Sequence, residues 1–392
     1  MFSDVLGLPL DHIEVNANFF HLGGDSALAI ALVSEARFKH KINISVASIF
    51  QNPTVAMLAQ NIKAYPTNPQ SCQQILPFSL NIGDAERLRN LCASHCGIDP
   101  EAIEDIYPCS PLQERLLAWT VSKPGAFQVD FLFSLPPNVD WSKLHNALRM
   151  VMQAYPILRT RISLISESLR FSRGLQVVVR EDVAWADATA TCQTQKITMS
   201  TGTPIFHYST LYEPGPRLKL TLHHALFDSW SYSQIVHAVE TAYSGTKVVR
   251  SAFVHFIKHL LSLDGLATKS FWANEFVNLA AVAFPAKVPP GHIPRKVERC
   301  VRGFCLHKPN DYGITVSTAC RLAWALVVAC YTRSLDVVFG VTVTGRNSSE
   351  AASIVGPTIT TFPLRIFLHS DEKIRYNVLR AFWDASDVTM QF

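Results

Sequence analysis

Apolar positions repeat with helical spacing over the first part of the chain. From Ser26, ALAIALVSEARF sets Leu28, Leu32 and Glu35 on one face, with Ile30, Val33 and Phe38 beside it. SVASIFQNPTVAMLAQNIKAY reads as two short helices parted by Asn-Pro. With FSDVLG as a fragment of a first helix and HLGGDS as a Gly-rich turn, residues 1–63 predict a small all-α four-helix bundle. Residues 64–76 are Pro-rich and polar without periodicity, and read as a linker.

From residue 77 two periods alternate. DAERLRNLCASH is helical in pattern, FQVDFLFSL alternates as a strand, and WSKLHNALRMVMQAY spaces Leu144, Leu148 and Met152 as a helix does. RLKLTLHH is a strand and WSYSQIVHAVETAY a helix closed by Gly245. FWANEFVNLAAVAF and STACRLAWALVVACYTR predict further helices, and DVVFGVTVTGR and TITTFPLRIFLH further strands. The mixture predicts an α/β or α+β architecture over residues 77–392, with no internal repeat.

Composition narrows the classes. The 392 residues are 48% hydrophobic and only 17% charged, which fits a folded chain with a large core. The net charge of +4 is small and scattered, which argues against nucleic-acid binding. Nine cysteines show no disulfide framework and predict reduced, packed thiols in a cytoplasmic protein. The N-terminus carries Asp4 and Asp11 and no basic run, unlike a signal peptide, and STACRLAWALVVACY is interrupted by Arg321 and too short to span a bilayer. No membrane association is expected.

Two motifs carry chemistry. In FFHLGGDSALAI, Gly23 and Gly24 allow a tight turn, and Asp25 and Ser26 stand where a helix begins. A serine hydroxyl there projects into solvent beside free N–H groups that favour a phosphate. A plain N-cap is the competing reading. In HHALFDSWS, strand alternation sets His224 with Leu218, Leu220 and Leu222, and His223 with Lys219 and Thr221. Adjacent strand histidines diverge, so a shared metal is not expected. On the spacing alone, a proton-accepting histidine and a core histidine bonded to backbone stand equal. Asp228 sits in the strand-to-helix turn, where an arginine is a suitable partner.

The surrounding sequence bears on both. FFHLGGDSALAIALVSEARFKHKINISVASIFQNPTVAMLA resembles the peptidyl carrier domain of nonribosomal peptide synthetases, and the resemblance covers residues 1–63. HHALFDSWS resembles the HHxxxDG motif of condensation domains, relatives of chloramphenicol acetyltransferase. DIYPCSPLQERLLAWT, YPILRTRI and DVVFGVTVTGRNSSEAASIVGPTITTFPLR resemble further motifs of that family, in their fungal form.

The resemblance implies that Ser26 carries 4′-phosphopantetheine, flanked by Gly24 and Asp25. It implies a two-lobed α/β chloramphenicol-acetyltransferase-like domain over residues 77–392. It implies that His224 positions or deprotonates an amine, with His223 and Asp228 completing the centre. Asp228 is expected to pair with Arg159, or failing that Arg161, with Ser229 and Trp230 in support. The implied partners are a phosphopantetheinyl transferase, upstream adenylation and downstream carrier domains, and acyl or peptidyl thioesters. Three departures stand out: Ser229 replaces the family's Gly, Arg115 stands where a small residue is common, and the second lobe is expected to be incomplete at Phe392. Amide formation is the leading expectation. Release by cyclisation or esterification at the same centre, and an inert carrier and docking fragment, are the alternatives.

Overall fold

The computed structural model describes residues 1–24, 28–29, 32–33, 35–36, 40, 42–44, 48–49, 52–61, 63–64, 75–80, 84–164, 174–180, 186–187, 197–212, 214–285, 301–303, 316–346 and 353–368. The chain divides into two compact units. One comprises Ser71–Leu263 with Ser353–Ile359, and the other Met1–Gln70, Asp264–Ala352 and Thr360–Phe392.

The first unit opens with helix α1 (Ala85–Cys96), started by the Asp84 side chain, which accepts the Glu86 and Arg87 N–H groups. Strand β1 (Ile103–Pro108) leads to α2 (Pro111–Ser122), then β2 (Gln128–Ser134), α3 (Trp141–Ala154), β3 (Thr160–Ser163) and β4 (Leu175–Val179). Strands β5 (Phe206–Leu211) and β6 (Arg217–His223) precede α4 (Ser229–Tyr243) and α5 (Val254–Ser262). Strands β1, β4 and β3 form one antiparallel sheet in that order. Strands β2, β6 and β5 form a second antiparallel set, and Ala186–Asp187 adds a short parallel edge to β5.

The inward face of β6, with Leu218, Leu220 and Leu222, packs into a core shared with Leu144, Leu148, Val151 and Met152 of α3 and Ile235 and Ala238 of α4. A separate cluster joins Leu88, Cys92 and Cys96 of α1 to Ile103, Ile106, Leu175 and Val177. Strand β4 is buried along its whole length, so LQVVV lacks the alternation by which a half-buried strand is recognised. Helix α2 evades its periodicity for another reason: two of its three buried positions, Gln113, Leu117 and Thr120, are polar.

In the second unit, α6 (Gly265–Glu275) is capped by Asp264, and α7 (Val316–Thr332) packs on an antiparallel pair, β7 (Asp336–Val343) and β8 (Thr360–Phe367). The helix expected over FWANEFVNLAAVAF stops at Glu275 instead of continuing. Arg365 explains the stop. Its Nη1 donates to the carbonyls of Glu275 (2.7 Å) and Val277 (2.9 Å), and Nη2 to that of Asn278 (3.2 Å). Its Nε and Nη2 reach the two oxygens of Asp336 at 2.9 and 2.8 Å. The pair is buried, and the ion pair and its hydrogen bonds hold the Asp336 carboxyl below the usual range. Asn278 takes φ 51, which turns the chain out of the helix.

The N-terminal segment has its own core, with Phe19, Ala29, Leu32, Val33, Ile49 and Leu58. Helices Phe2–Leu6 and Val55–Asn61 flank it. Asp25, Ser26, Ile30 and Phe38 lie outside the described residues.

Candidate active site around His224

Strand β6 places the two histidines differently. His223 closes the ladder opposite Gln128, and its N–H donates to the Ile205 carbonyl at 3.0 Å. His224 lies one residue beyond the strand, and its N–H donates to the Phe127 carbonyl at 2.9 Å. Phe127 has φ 58, an uncommon conformation for a non-glycine residue, and this bend aims its carbonyl at the turn.

The His223 ring is fully buried, 0% exposed, and both its nitrogens are engaged. Nδ1 accepts the Ala225 N–H at 3.0 Å. That leaves the proton on Nε2, which donates to Thr120 Oγ1 at 2.8 Å. Thr120 in turn reaches the carbonyls of Leu116 (3.0 Å) and Ala126 (2.9 Å). Burial, helped by the neighbouring His224, lowers the His223 pKa to about 4, so the ring is neutral near pH 7.

His224 is half-buried. Its ring stacks on Phe227, with centroids 4.6 Å apart and planes at 16°, and Phe227 stands edge-on to Phe131. Burial lowers its pKa, while a hydrogen bond to the Phe227 main chain works the other way. A ring N–H given to that main chain leaves the other nitrogen as a free-base acceptor. Histidine 224 is therefore the partly open imidazole of the pair, and His223 the bonded one.

Asp228, 3% exposed, caps α4. Its Oδ1 accepts the Ser231 N–H at 2.8 Å and lies 2.7 Å from Ser231 Oγ. Its Oδ2 accepts the Thr358 N–H at 3.1 Å, with Thr358 Oγ1 at 3.4 Å. Ser231 Oγ also lies 2.8 Å from the Gly356 carbonyl and accepts the Gly356 N–H at 3.0 Å. Residues 353–359 are thus strapped to the start of α4, and Ser251 Oγ holds the strap at Ser353 and Val355. Gly356 (φ 145) fits because it lacks a side chain: a Cβ there would lie 2.2 Å from Phe253 Cδ2.

The expected pairing of Asp228 with Arg159 or Arg161 is not formed. Arg159 Nη2 lies 2.8 Å from Glu104, its Nε donates to the Met152 carbonyl at 3.0 Å, and Nη1 donates to the Val179 carbonyl. Arg161 donates to the Cys96 carbonyl at 2.8 Å. Both arginines sit around β3 and are drawn to groups of α1, β1 and β4 there, and Ser231 and Thr358 are among the donors that Asp228 accepts from instead. Ser229 is the first residue of α4 and is exposed, and Trp230 beside it is half-buried.

Sequence reading missed Gln113, Thr120, Ser231 and Thr358. A signal existed for two of them. Ser110-x-x-Gln113 is a capping box, and Asp228-x-x-Ser231 has the cap-to-third-residue spacing that puts Ser231 N–H on the carboxylate. The others come from remote parts of the chain. Among the described residues, no group of three or more His, Cys, Asp or Glu stands where it could hold a metal ion, and no helix is long and apolar enough to cross a membrane.

Residues 103–385 match the family described as the condensation domain, and residues 1–62 match the phosphopantetheine attachment site. The chain belongs to the condensation-domain family. It is 43% identical over 384 residues to the nonribosomal peptide synthetase rstn8 of Penicillium ochrochloron, a match covering 96% of this chain and 19% of that protein. Among solved structures, holo T3CT has a TM-score of 0.61 at 20% identity, covering 80% of this chain and 75% of that one. The starter condensation domain of rhizomide synthetase has a TM-score of 0.54 at 16% identity, covering 73% and 72%. These likenesses give the mixed α/β condensation-domain fold. The chain spans about a fifth of the length of the curated relatives it matches first.

The matched family attaches 4′-phosphopantetheine, and residues 1–62 include the LGGDS run with Ser26. The described approach to it suits a tight turn. Gly24 N–H donates to the Phe19 carbonyl at 2.9 Å, and a Cβ on Gly24 would lie 2.3 Å from the Phe19 ring. Only glycine lets the chain pass so close to Phe19 before Asp25 and Ser26.

Proposed function

We propose that this chain is the carrier and condensing segment of a nonribosomal peptide synthetase, with Ser26 presenting a donor and His224 serving amide formation. Residues 1–63 are the four-helix carrier bundle, 64–76 the linker and 77–392 the condensation domain. The observation that carries the reading is the division of labour between the histidines. His223 has no nitrogen left for a substrate, while the half-buried His224 keeps one basic nitrogen beside Phe227. Bound at Ser26, 4′-phosphopantetheine supplies a flexible thiol on which an acyl group is held as a thioester.

His224 orients the acceptor amine and takes the proton it loses as nitrogen bonds to the acyl carbon. It returns that proton to the sulfur released when the C–S bond breaks. A lowered pKa keeps the imidazole neutral and ready to accept near pH 7. Holding both reactants in place contributes much of the acceleration, since proximity alone is worth roughly 7–11 kcal/mol. Adenylation and downstream carrier domains of the same assembly line, and a phosphopantetheinyl transferase, are the partners. Free, buried thiols at Cys92, Cys96 and Cys109 support a reducing, cytoplasmic setting.

Two measurements test the reading. Incubation with coenzyme A and a phosphopantetheinyl transferase should raise the intact mass of the wild type and leave Ser26→Ala unchanged; equal gains refute the carrier assignment. With a loaded donor and an amine on a separate carrier, His224→Ala should lose condensation. Undiminished product would remove His224 from the mechanism.

A further inference from the structure

The turn that carries His224 is held from underneath by one helix. Gln113 and Thr120, seven residues apart on α2, both point inward and are buried. Thr120 Oγ1 accepts from His223 Nε2 at 2.8 Å. Gln113 Nε2 donates to the Ala225 carbonyl at 3.0 Å and to Gln176 Oε1 at 2.9 Å. Gln113 is itself fixed, because its Oε1 accepts the Ser110 N–H at 3.0 Å and Gln176 Nε2 donates to the Pro108 carbonyl at 3.1 Å. His223 and Ala225 are also tied to each other, Nδ1 to N–H at 3.0 Å. The residues on both sides of His224 are therefore gripped, and His224 is the member of the turn whose ring is left to face outward.

A buried polar network of this kind needs a reason. An apolar contact between α2 and the turn would bury the same area without two amides, a hydroxyl and an imidazole to satisfy. What hydrogen bonds add is direction. They fix the rotation of the 223–226 turn and hence the plane in which the His224 ring meets Phe227.

We propose that Gln113 and Thr120 are positioning residues for the reaction: they set the His224 imidazole through its two chain neighbours. The proposal rests on the role given to His224 above, and its test has a readout that does not need turnover. The full chain, labelled with 15N-histidine, gives a long-range proton–nitrogen spectrum reporting the tautomer of each ring. Condensation is followed in single turnover with loaded donor and carrier-bound acceptor. Thr120→Val keeps the shape and removes the acceptor for His223. Thr120→Ser restores it. Gln113→Leu removes the donor to Ala225. Val177→Ala, a core truncation in the α1–β1–β4 cluster, controls for general loosening.

Thr120→Val and Gln113→Leu should slow condensation about 10- to 100-fold with acceptor KM changed less than about twofold, the range expected when a reacting group is misplaced by a fraction of a bond length. His224 should pass from one tautomer to an averaged signal in both. Thr120→Ser should recover rate and spectrum, and Val177→Ala should leave both as in wild type. The proposal is overturned if Thr120→Val slows the reaction no more than Val177→Ala, or if the His224 signals are unchanged in Thr120→Val and Gln113→Leu. If wild type forms no product, the proposed function fails, and the spectra alone still decide whether these residues set the ring. If Gln113→Leu does not fold, Thr120→Val and Thr120→Ser carry the decision.

Discussion

Replacing Asp228 by alanine should loosen the hold of α4 on residues 353–359, which keep their bonds to Ser231 and Ser251. The carboxylate satisfies the Ser231 N–H at 2.8 Å and the Thr358 N–H at 3.1 Å, and both donors are buried. Loss of an N-cap costs about 1 kcal/mol. An orphaned buried N–H at Thr358 adds about 1–3 kcal/mol. The expected loss is about 3 kcal/mol, or more if Ser231 Oγ is also left short. Asp228→Asn keeps an oxygen for the cap but turns an amide N–H₂ towards Thr358, and should lose about half as much. Thr358→Val keeps the main-chain N–H on Asp228 and gives up the longer 3.4 Å hydroxyl contact, so it should cost less than Asp228→Ala. Urea unfolding followed at constant slope gives all three values. The reasoning fails if Asp228→Ala costs less than about 1 kcal/mol, or if Thr358→Val costs as much as Asp228→Ala.

Three further outcomes follow from the same structure. His223 has a folded pKa of about 4 against 6.5 for the free side chain, so between those values the unfolded chain binds a proton that the folded chain refuses. Stability should fall by about 2 kcal/mol between pH 7 and pH 5, and the fall should shrink in His223→Asn when both are titrated by denaturant unfolding. Arg365→Lys should destabilise the second unit by about 3 kcal/mol or more, read from tryptophan fluorescence on unfolding, because an ammonium cannot serve Asp336 and three carbonyls together. Gly356→Ala should be among the most damaging single-methyl changes, with the clash on Phe253 partly relieved in the Gly356→Ala, Phe253→Leu double variant by thermal unfolding.

The sequence carried the elements whose faces differ in polarity. Strands β2 and β6 and helices α3 and α4 were legible because their apolar spacing matches what they bury. Strand β4 was not, because both of its faces are covered, and α2 was not, because it turns Gln113 and Thr120 inward. For the candidate site, the motif alone set His224 apart from His223. It did not give the Ser231 and Thr358 bonds of Asp228. An arginine near a buried aspartate is a sound expectation from charge, yet Arg159 pairs with Glu104, and two donors that reach Asp228 come from 3 and 130 positions along the chain. Long-range neighbours of that kind leave no period in a sequence. The end of α6 shows the same limit, since Arg365 terminates it from 90 residues away.

The strap at 353–359 also bears on how the molecule is made. A ribosome delivers Asp228 and all of α4 well before Gly356 and Thr358, which are 125 and 130 residues later in their pairings. Until then the nascent first unit lacks the Thr358 donor to Asp228, and Phe253 lacks the Gly356 that packs against it. Synthesis through the intervening Asp264–Ala352 stretch at roughly 5–20 residues per second takes several seconds or more. The half that bears the histidines therefore closes late, only once the strap has followed the Asp264–Ala352 stretch off the ribosome.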